Sequence, residues 1–320
     1  MRPSRERLLR ISTALLLLLL ASLTAGAQEK KDKKDKKEQA PPFSVSLNVT
    51  VLDAQGRPAD GLKREDFQLT EDGVAQPVAS AEPLEGPLAF GLVVDNSGSM
   101  LYEINTVVGL GHLLVRESGA DTSAFVISFI SGEQINLMED FTTDKRALEA
   151  ALDAMYIEGG QTAVNDALYV AAEHLEKFKA AQTSPRRYAL VLITDGEDRS
   201  SYYKTEKVLE KLRAVGVPVF VVGLPEEASK QSPERVKRYM GWVAAGTGGA
   251  TYFYEKNKTG AAALARQVLA AMGANYRVTY TPTNQKRDSG FRRVQVSVGA
   301  GAAGEPRKAL TKEGYFAPPK

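Results

Sequence analysis

The stretch Pro87–Met100, PLAFGLVVDNSGSM, constrains this chain more than any other. Its first part, Leu88 to Val94, is apolar without alternation. A strand with one wet face alternates with period two. An unbroken apolar run is what a parallel strand needs when helices cover both of its faces. The run gives way at once to Asp95, Asn96, Ser97, Gly98 and Ser99, which place one carboxylate and two hydroxyls within five residues. These are hard oxygen donors, suited to a small divalent cation such as Mg²⁺. Gly98 is expected to let the backbone turn tightly, so that both serines face one point.

Two later stretches supply what this loop lacks. Gly159-Gly160-Gln161-Thr162 is expected to open a helix, and a second apolar strand, Tyr188 to Thr194, ends in Thr194-Asp195-Gly196. In an open α/β sheet, ligands sit outside the carboxyl ends of the strands. Asp95 and Asp195 both fall at such ends, so a site shared with Thr162 is physically reasonable. The set resembles the metal-ion-dependent adhesion site of von Willebrand factor A domains, whose pattern is D-x-S-x-S, then a T, then a D. Asp95, Ser97, Ser99, Thr162 and Asp195 match it at every position. The resemblance covers roughly Pro87 to Asn275, and the tract WVAAGTGGATYFY is similar to the late helix–strand stretch of the same family. It implies Mg²⁺ (or Mn²⁺ or Ca²⁺) held by those five residues, with an incomplete first shell. The open position would take a carboxylate from a partner.

The rest of the chain follows from periodicity. Phe43, Val45, Leu47, Val49 and Val51 alternate with polar residues, which predicts a half-buried strand. Phe67 to Thr70 and Val74 to Val78 flank Glu71-Asp72-Gly73 and read as a hairpin; Pro77 puts its second strand at an edge or ends it. From Pro87 onward strands alternate with helices. Thr143 is expected to cap one helix and Thr162 to open another, and a last helix runs from Thr259 to about Ala274. This order predicts a doubly wound, mostly parallel, Rossmann-like α/β sheet. Beyond Asn275 the alternation returns in Tyr276, Val278, Tyr280 and in Val294, Val296, Val298, with one further strand over Ala309–Phe316. The segments 43–86 and 276–320 are each too small to bury a core. They are expected to pair into one small Ig-like β-sandwich, with the domain 87–275 inserted between them. The whole order resembles the VWFA-related proteins first grouped in Acidobacteria.

Arg2, Arg5, Arg7 and Arg10 precede the leucine-rich run Ile11–Leu23, and Ala25-Gly26-Ala27 offers a small-x-small cleavage site. Residues 1–27 therefore read as a cleavable signal peptide, making the mature protein secreted or periplasmic, at the cell envelope. Membrane contact is expected only through that segment. Residues 28–42 are a lysine-acid tract with almost nothing to bury, hence a disordered linker. A net charge of +2 without a basic, aromatic-laced stripe argues against a nucleic-acid partner. The absence of cysteine excludes disulfides, thiolate zinc and a cysteine nucleophile. No phosphate-cradling or dinucleotide motif calls for a small-molecule cofactor.

His112 and His174 both fall inside predicted helices, away from strand ends, and are read as structural. Glu197 and Asp198 are read as a solvated acidic rim that tunes ligand choice. The resemblance therefore implies a metal-dependent binding or adhesion protein rather than an enzyme, expected to capture an acidic side chain of a protein, matrix or envelope ligand. A metal-dependent hydrolase and a structural envelope module with a vestigial site are the alternatives.

Overall fold

A computed structural model describes residues 41–157, 159–196, 198–224, 233–255, 260–301 and 304–320. The segment read as a signal peptide, the stretch read as a linker as far as residue 40, and Glu197 lie outside them. Among the described residues no helix is long and apolar enough to cross a membrane.

Before the central domain come β1 (Val45–Leu52), β2 (Phe67–Glu71), β3 (Val74–Gln76) and β4 (Val78–Pro83). The β2–β3 hairpin turns at Asp72 and Gly73, with φ of 49° and 81°. That positive pair matches the right-handed twist of the flanking strands. Pro77 then ends β3, and β4 departs to a different sheet. The sequence reading ran the second hairpin strand through Pro77 to Val78. A residue with no N–H cannot continue the ladder, and the chain changes sheet there.

The central domain holds six strands: β5 (Leu88–Asp95), β6 (Ser123–Phe129), β7 (Ile135–Thr142), β8 (Arg187–Thr194), β9 (Val219–Gly223) and β10 (Thr251–Phe253). Their order is β10-β9-β8-β5-β6-β7. Only the β6–β7 pair is antiparallel. Every residue of β5 is buried, as its unbroken apolar run requires. Phe90, Leu92 and Val94 pack on one face beneath helices α1 (Ile104–Glu117), α2 (Lys145–Asp153) and α6 (Ala261–Gly273). Val93, Leu190 and Leu192 pack on the other beneath α3 (Val164–Ala180), α4 (Thr205–Val215) and α5 (Pro233–Thr247). Each such side chain contributes roughly 1.5–3 kcal/mol through burial. This is a mixed α/β domain wound on both sides of a mostly parallel sheet.

Two predicted helix starts shift. The carboxylate of Asp144, not Thr143, caps α2 by accepting from the Arg146 N–H at 2.9 Å. Helix α3 begins at Val164, two residues beyond Thr162, which leaves Thr162 in the loop.

After the domain come β11 (Asn275–Tyr280), β12 (Phe291–Val298), β13 (Lys308–Leu310) and β14 (Gly314–Phe316). The stretch read as one final strand is thus two short ones. The flanks form two four-stranded sheets, β13-β1-β11-β4 and β14-β12-β2-β3, each drawing strands from both ends of the chain. β1 pairs antiparallel with β11, Val45 opposite Tyr280 and Thr50 opposite Asn275. The alternation read in β1 holds as far as Val49: Val45, Leu47 and Val49 are buried while Ser46 and Asn48 are exposed, but Thr50 is buried as well, its hydroxyl donating to Asn275 Oδ1 at 2.7 Å. Two links join the sheets. The Phe67 and Tyr276 rings lie 5.4 Å apart, and the Tyr280 hydroxyl donates to buried Glu71 at 2.6 Å. Tyr315 donates to the same Glu71 oxygen at 2.8 Å.

Candidate metal centre

Strand order decides where the centre forms. From β5 the chain passes to β6 on one side, while β8 returns on the other. Between β5 and β8 the connections diverge, leaving a crevice beyond the strands' carboxyl ends. Val94 and Ile193 are the last paired residues, so Asp95 and the Thr194–Asp195 pair emerge side by side.

Asp95 is fully buried and held at both oxygens. Its Oδ1 accepts from the Ser97 N–H at 3.0 Å, and its Oδ2 accepts from the Thr194 hydroxyl at 2.5 Å. Burial pushes the carboxyl above its ordinary range, opposed by the bonds from Thr194 and Ser97 and by the charge of Arg199. A cation beside it would offset that desolvation.

Ser97 Oγ lies 3.2 Å from Ser99 Oγ and 3.1 Å from Thr162 Oγ1. Ser99 donates to Asp195 Oδ1 at 3.1 Å. All five residues singled out in the sequence therefore meet in one linked cluster. Asp95, Ser97, Thr162 and Asp195 are buried, and Ser99 is half-buried.

The second loop reaches the first by backbone contact. Gly159 and Gly160 have φ of 80° and 125°, which L side chains rarely adopt. A β-carbon on Gly98 would stand 3.3 Å from Gly159 Cα, and one on Gly160 would collide with Cγ2 of Ile130. Gly98 itself has no positive φ. Its value lies in this close approach rather than in a tight turn, because Ser97 leads directly into a 3₁₀ turn over Gly98–Tyr102.

The third loop ties the second down. Arg199 N–H donates to Thr162 O at 2.8 Å, and Ser200 Oγ donates to Gln161 O at 3.0 Å. Asp198 accepts from the Asn165 N–H at 3.0 Å and from the Ser201 hydroxyl. Ser201 Oγ in turn accepts from the Asp166 N–H at 3.0 Å. Asp166 accepts from the N–H groups of Tyr202 and Tyr203 at 2.8 and 2.9 Å. Asp198 is thus the cap of α3 supplied from a distance, not the solvated rim residue expected; its neighbour Glu197 lies outside the described residues.

Sequence reasoning missed this capping role and that of Thr194. Asp198 lies in a loop and Thr194 ends β8, and only the fold reveals their partners. The histidines are occupied elsewhere: His112 Nε2 bonds Asp153 and His174 Nε2 bonds Asp140, each at 2.9 Å.

Among the described residues no group of three or more His, Cys, Asp or Glu side chains forms a metal cage. The cluster offers two carboxylates and three hydroxyls. That all-oxygen set, of formal charge −2, fits a hard dication and suits soft metals poorly.

The family model of the von Willebrand factor type A domain matches residues 91–267. That is more than half of the chain, and the chain belongs to this family. No curated protein matches it. Among solved structures it is similar to an aerotolerance-related membrane protein from Bacteroides fragilis NCTC 9343. The two are 20% identical, with 58% of this chain and 98% of that one covered and a TM-score of 0.46. BatB from Bacteroides thetaiotaomicron is 18% identical, with 58% and 98% covered and a TM-score of 0.45. A von Willebrand factor type A protein from Catenulispora acidiphila is 13% identical, with 86% and 75% covered and a TM-score of 0.46.

Proposed function

We propose that this protein is a metal-dependent binding protein that works outside the cytoplasm and captures an acidic side chain of a protein or matrix ligand. The observation that carries the reading is the linked oxygen cluster of Asp95, Ser97, Ser99, Thr162 and Asp195 at the crevice between β5 and β8. Those residues would hold Mg²⁺, with Mn²⁺ or Ca²⁺ as substitutes. The metal would supply a Lewis-acidic position for a partner's carboxylate. Tyr102, Tyr156 and Tyr202 stand on the three loops that build the cluster, at 86%, 64% and 86% exposure. Exposed tyrosines flanking a charged centre suit a protein partner, because a rigid ring contributes apolar area and a hydroxyl at low entropic cost.

The flanking sheets are read as one Ig-like β-sandwich interrupted by the A domain. The arginine, leucine and Ala-Gly-Ala order of residues 1–27 supports export. Binding rather than turnover is the reading because both histidines are engaged with carboxylates on other elements and, among the described residues, the carboxylates beside Ser97 and Ser99 are Asp95 and Asp195, the ones that would hold the cation.

The test is capture from envelope fractions with and without chelator, using mature wild-type protein and Asp95→Ala. Wild type should retain a partner only with divalent metal, and its melting temperature should rise with Mg²⁺. Asp95→Ala should fold and do neither. Normal Mg²⁺ and partner binding by Asp95→Ala would show that the loop is merely structural.

A further inference from the structure

The opposite end of the A domain, at the amino ends of its parallel strands, carries a second cleft of about 410 Å³. Its walls come from the starts of β8 and β9, the ends of α3 and α4, and strands β1 and β11 of a flanking sheet. Lys179, Arg186, Arg187, Arg213, Arg277 and Lys312 line it, and no aspartate or glutamate does. The acids nearest are Glu313, which pairs with Arg213 at 3.1 Å, Glu176, and Glu82, which lies opposite Arg277 on β4.

Part of this charge has an ordinary explanation. Lys179 and Arg213 lie in the last turns of α3 and α4, where the helix dipole favours cations. Lys179 donates to Val215 O at 2.8 Å, and Arg213 to Gly246 O at 2.7 Å. Arg187 donates to the carbonyls of Gly86 and Gly273. Carbonyls anchor Lys179 and Arg187 without neutralising them, while Arg213 is also paired with Glu313 at the cleft's edge.

Arg277 and Lys312 have no such explanation. They come from β11 and from the turn between β13 and β14; Arg277 is exposed and Lys312 half-buried, and among the described residues neither side chain has a hydrogen bond or ion pair. Burial and the charge of Arg277 hold the Lys179 ammonium below its usual range. Burial with the charges of Arg213 and Lys179 does the same to Lys312. Four cations from two parts of the fold therefore converge and repel one another across one cavity. Such an arrangement is costly when empty and favourable when an anion fills it.

We propose that this cleft binds a small, multiply charged oxyanion of the phosphate or pyrophosphate kind, free or as the end group of a larger solute. Guanidinium forks and ammonium groups are the usual partners of such ions. Because Lys179 and Arg213 belong to the A domain while Arg277 and Lys312 belong to the flanks, the bound anion bridges the two.

The experiment uses the full mature chain without divalent metal, at constant ionic strength. Calorimetry and thermal melting are followed with inorganic phosphate, pyrophosphate and glycerol phosphate, against chloride. Wild type and Asp95→Ala should both show a saturable rise in melting temperature, which separates this cleft from the metal centre. Arg277→Gln/Lys312→Gln should melt higher than wild type without anion, since repulsion is relieved, and should bind pyrophosphate at least tenfold more weakly. Glycerol phosphate matching phosphate supports an end group on a larger solute; a response to inorganic ions alone supports the free ion. No saturable response beyond chloride, or unchanged affinity in the double variant, overturns the proposal.

Discussion

Asp95 is gripped on both oxygens, and the grip from Thr194 tests how far the proposed centre depends on residues outside the five that would hold a cation. Thr194→Val removes the hydroxyl and keeps the volume. It should weaken Mg²⁺ binding by about 10- to 100-fold, the usual cost of losing an outer partner of a metal ligand. Thr162→Ala should lose part of the affinity, and Asp95→Ala nearly all. Titration calorimetry gives the ranking; wild-type affinity in Thr194→Val would remove Thr194 from the account.

Tyr280 makes a second residue-scale prediction. Burial raises its phenol well above the ordinary value of 10.0, and the bond to Glu71 adds to that. Tyr315 is raised in the same way. In the unfolded chain these phenols ionise near pH 10, whereas in the fold they stay protonated. Their contribution to stability is therefore complete below about pH 10 and declines as pH rises through the folded value. Melting temperature should fall steeply above pH 10 in wild type and less steeply in Tyr280→Phe. Parallel curves would mean that Tyr280 is not a source of the alkaline loss.

The element that most controls the centre is the Gly159–Gly160 arm, since it carries Thr162 to Ser97. Gly160→Ala forces a β-carbon against Ile130 at φ 125°. The expected cost is about 1–3 kcal/mol, read by urea unfolding, together with weaker Mg²⁺ binding. Unchanged values for both would mean that the arm tolerates displacement.

At this scale the sequence was informative wherever the signal was periodic. The unbroken Leu88–Val94 run and the alternation in β1 each name an element, because burial repeats with the geometry of the chain. The five residues Asp95, Ser97, Ser99, Thr162 and Asp195 were legible as a group from their order along the chain, and the fold brings them together. What escaped was paired over distance. The cap of α3 comes from Asp198 on another loop, and Thr194 is recognisable only once β5 and β8 lie side by side. Thr143 and Asp144 are adjacent competitors for one cap, and local geometry chose between them. Pro77 signalled an end to pairing but not a change of sheet.

On the scale of the molecule, β11 lies between β1 and β4, so the last 45 residues supply the middle of a sheet that the first strands border. Deleting Tyr276–Lys320 should leave the buried face of β1 bare and drive the remainder to aggregate. A fragment spanning Pro87–Asn275, which carries none of those strands, should stay monomeric. Light scattering on the two fragments decides; identical behaviour would mean that β1 has found another partner.

The A domain leaves and rejoins the flanking sheets through neighbouring strands, for Pro83 of β4 lies opposite Tyr276 of β11. To those sheets the whole domain is the loop of a hairpin. Tension applied between Val45 and Phe316 is then borne first by the ladders that close the loop, β1 against β11 and β4 against β11. The crevice between β5 and β8 lies off that load path. A tethered molecule should keep its oxygen cluster unstrained until the flanks shear, and force spectroscopy should show the sheets yielding before the A domain.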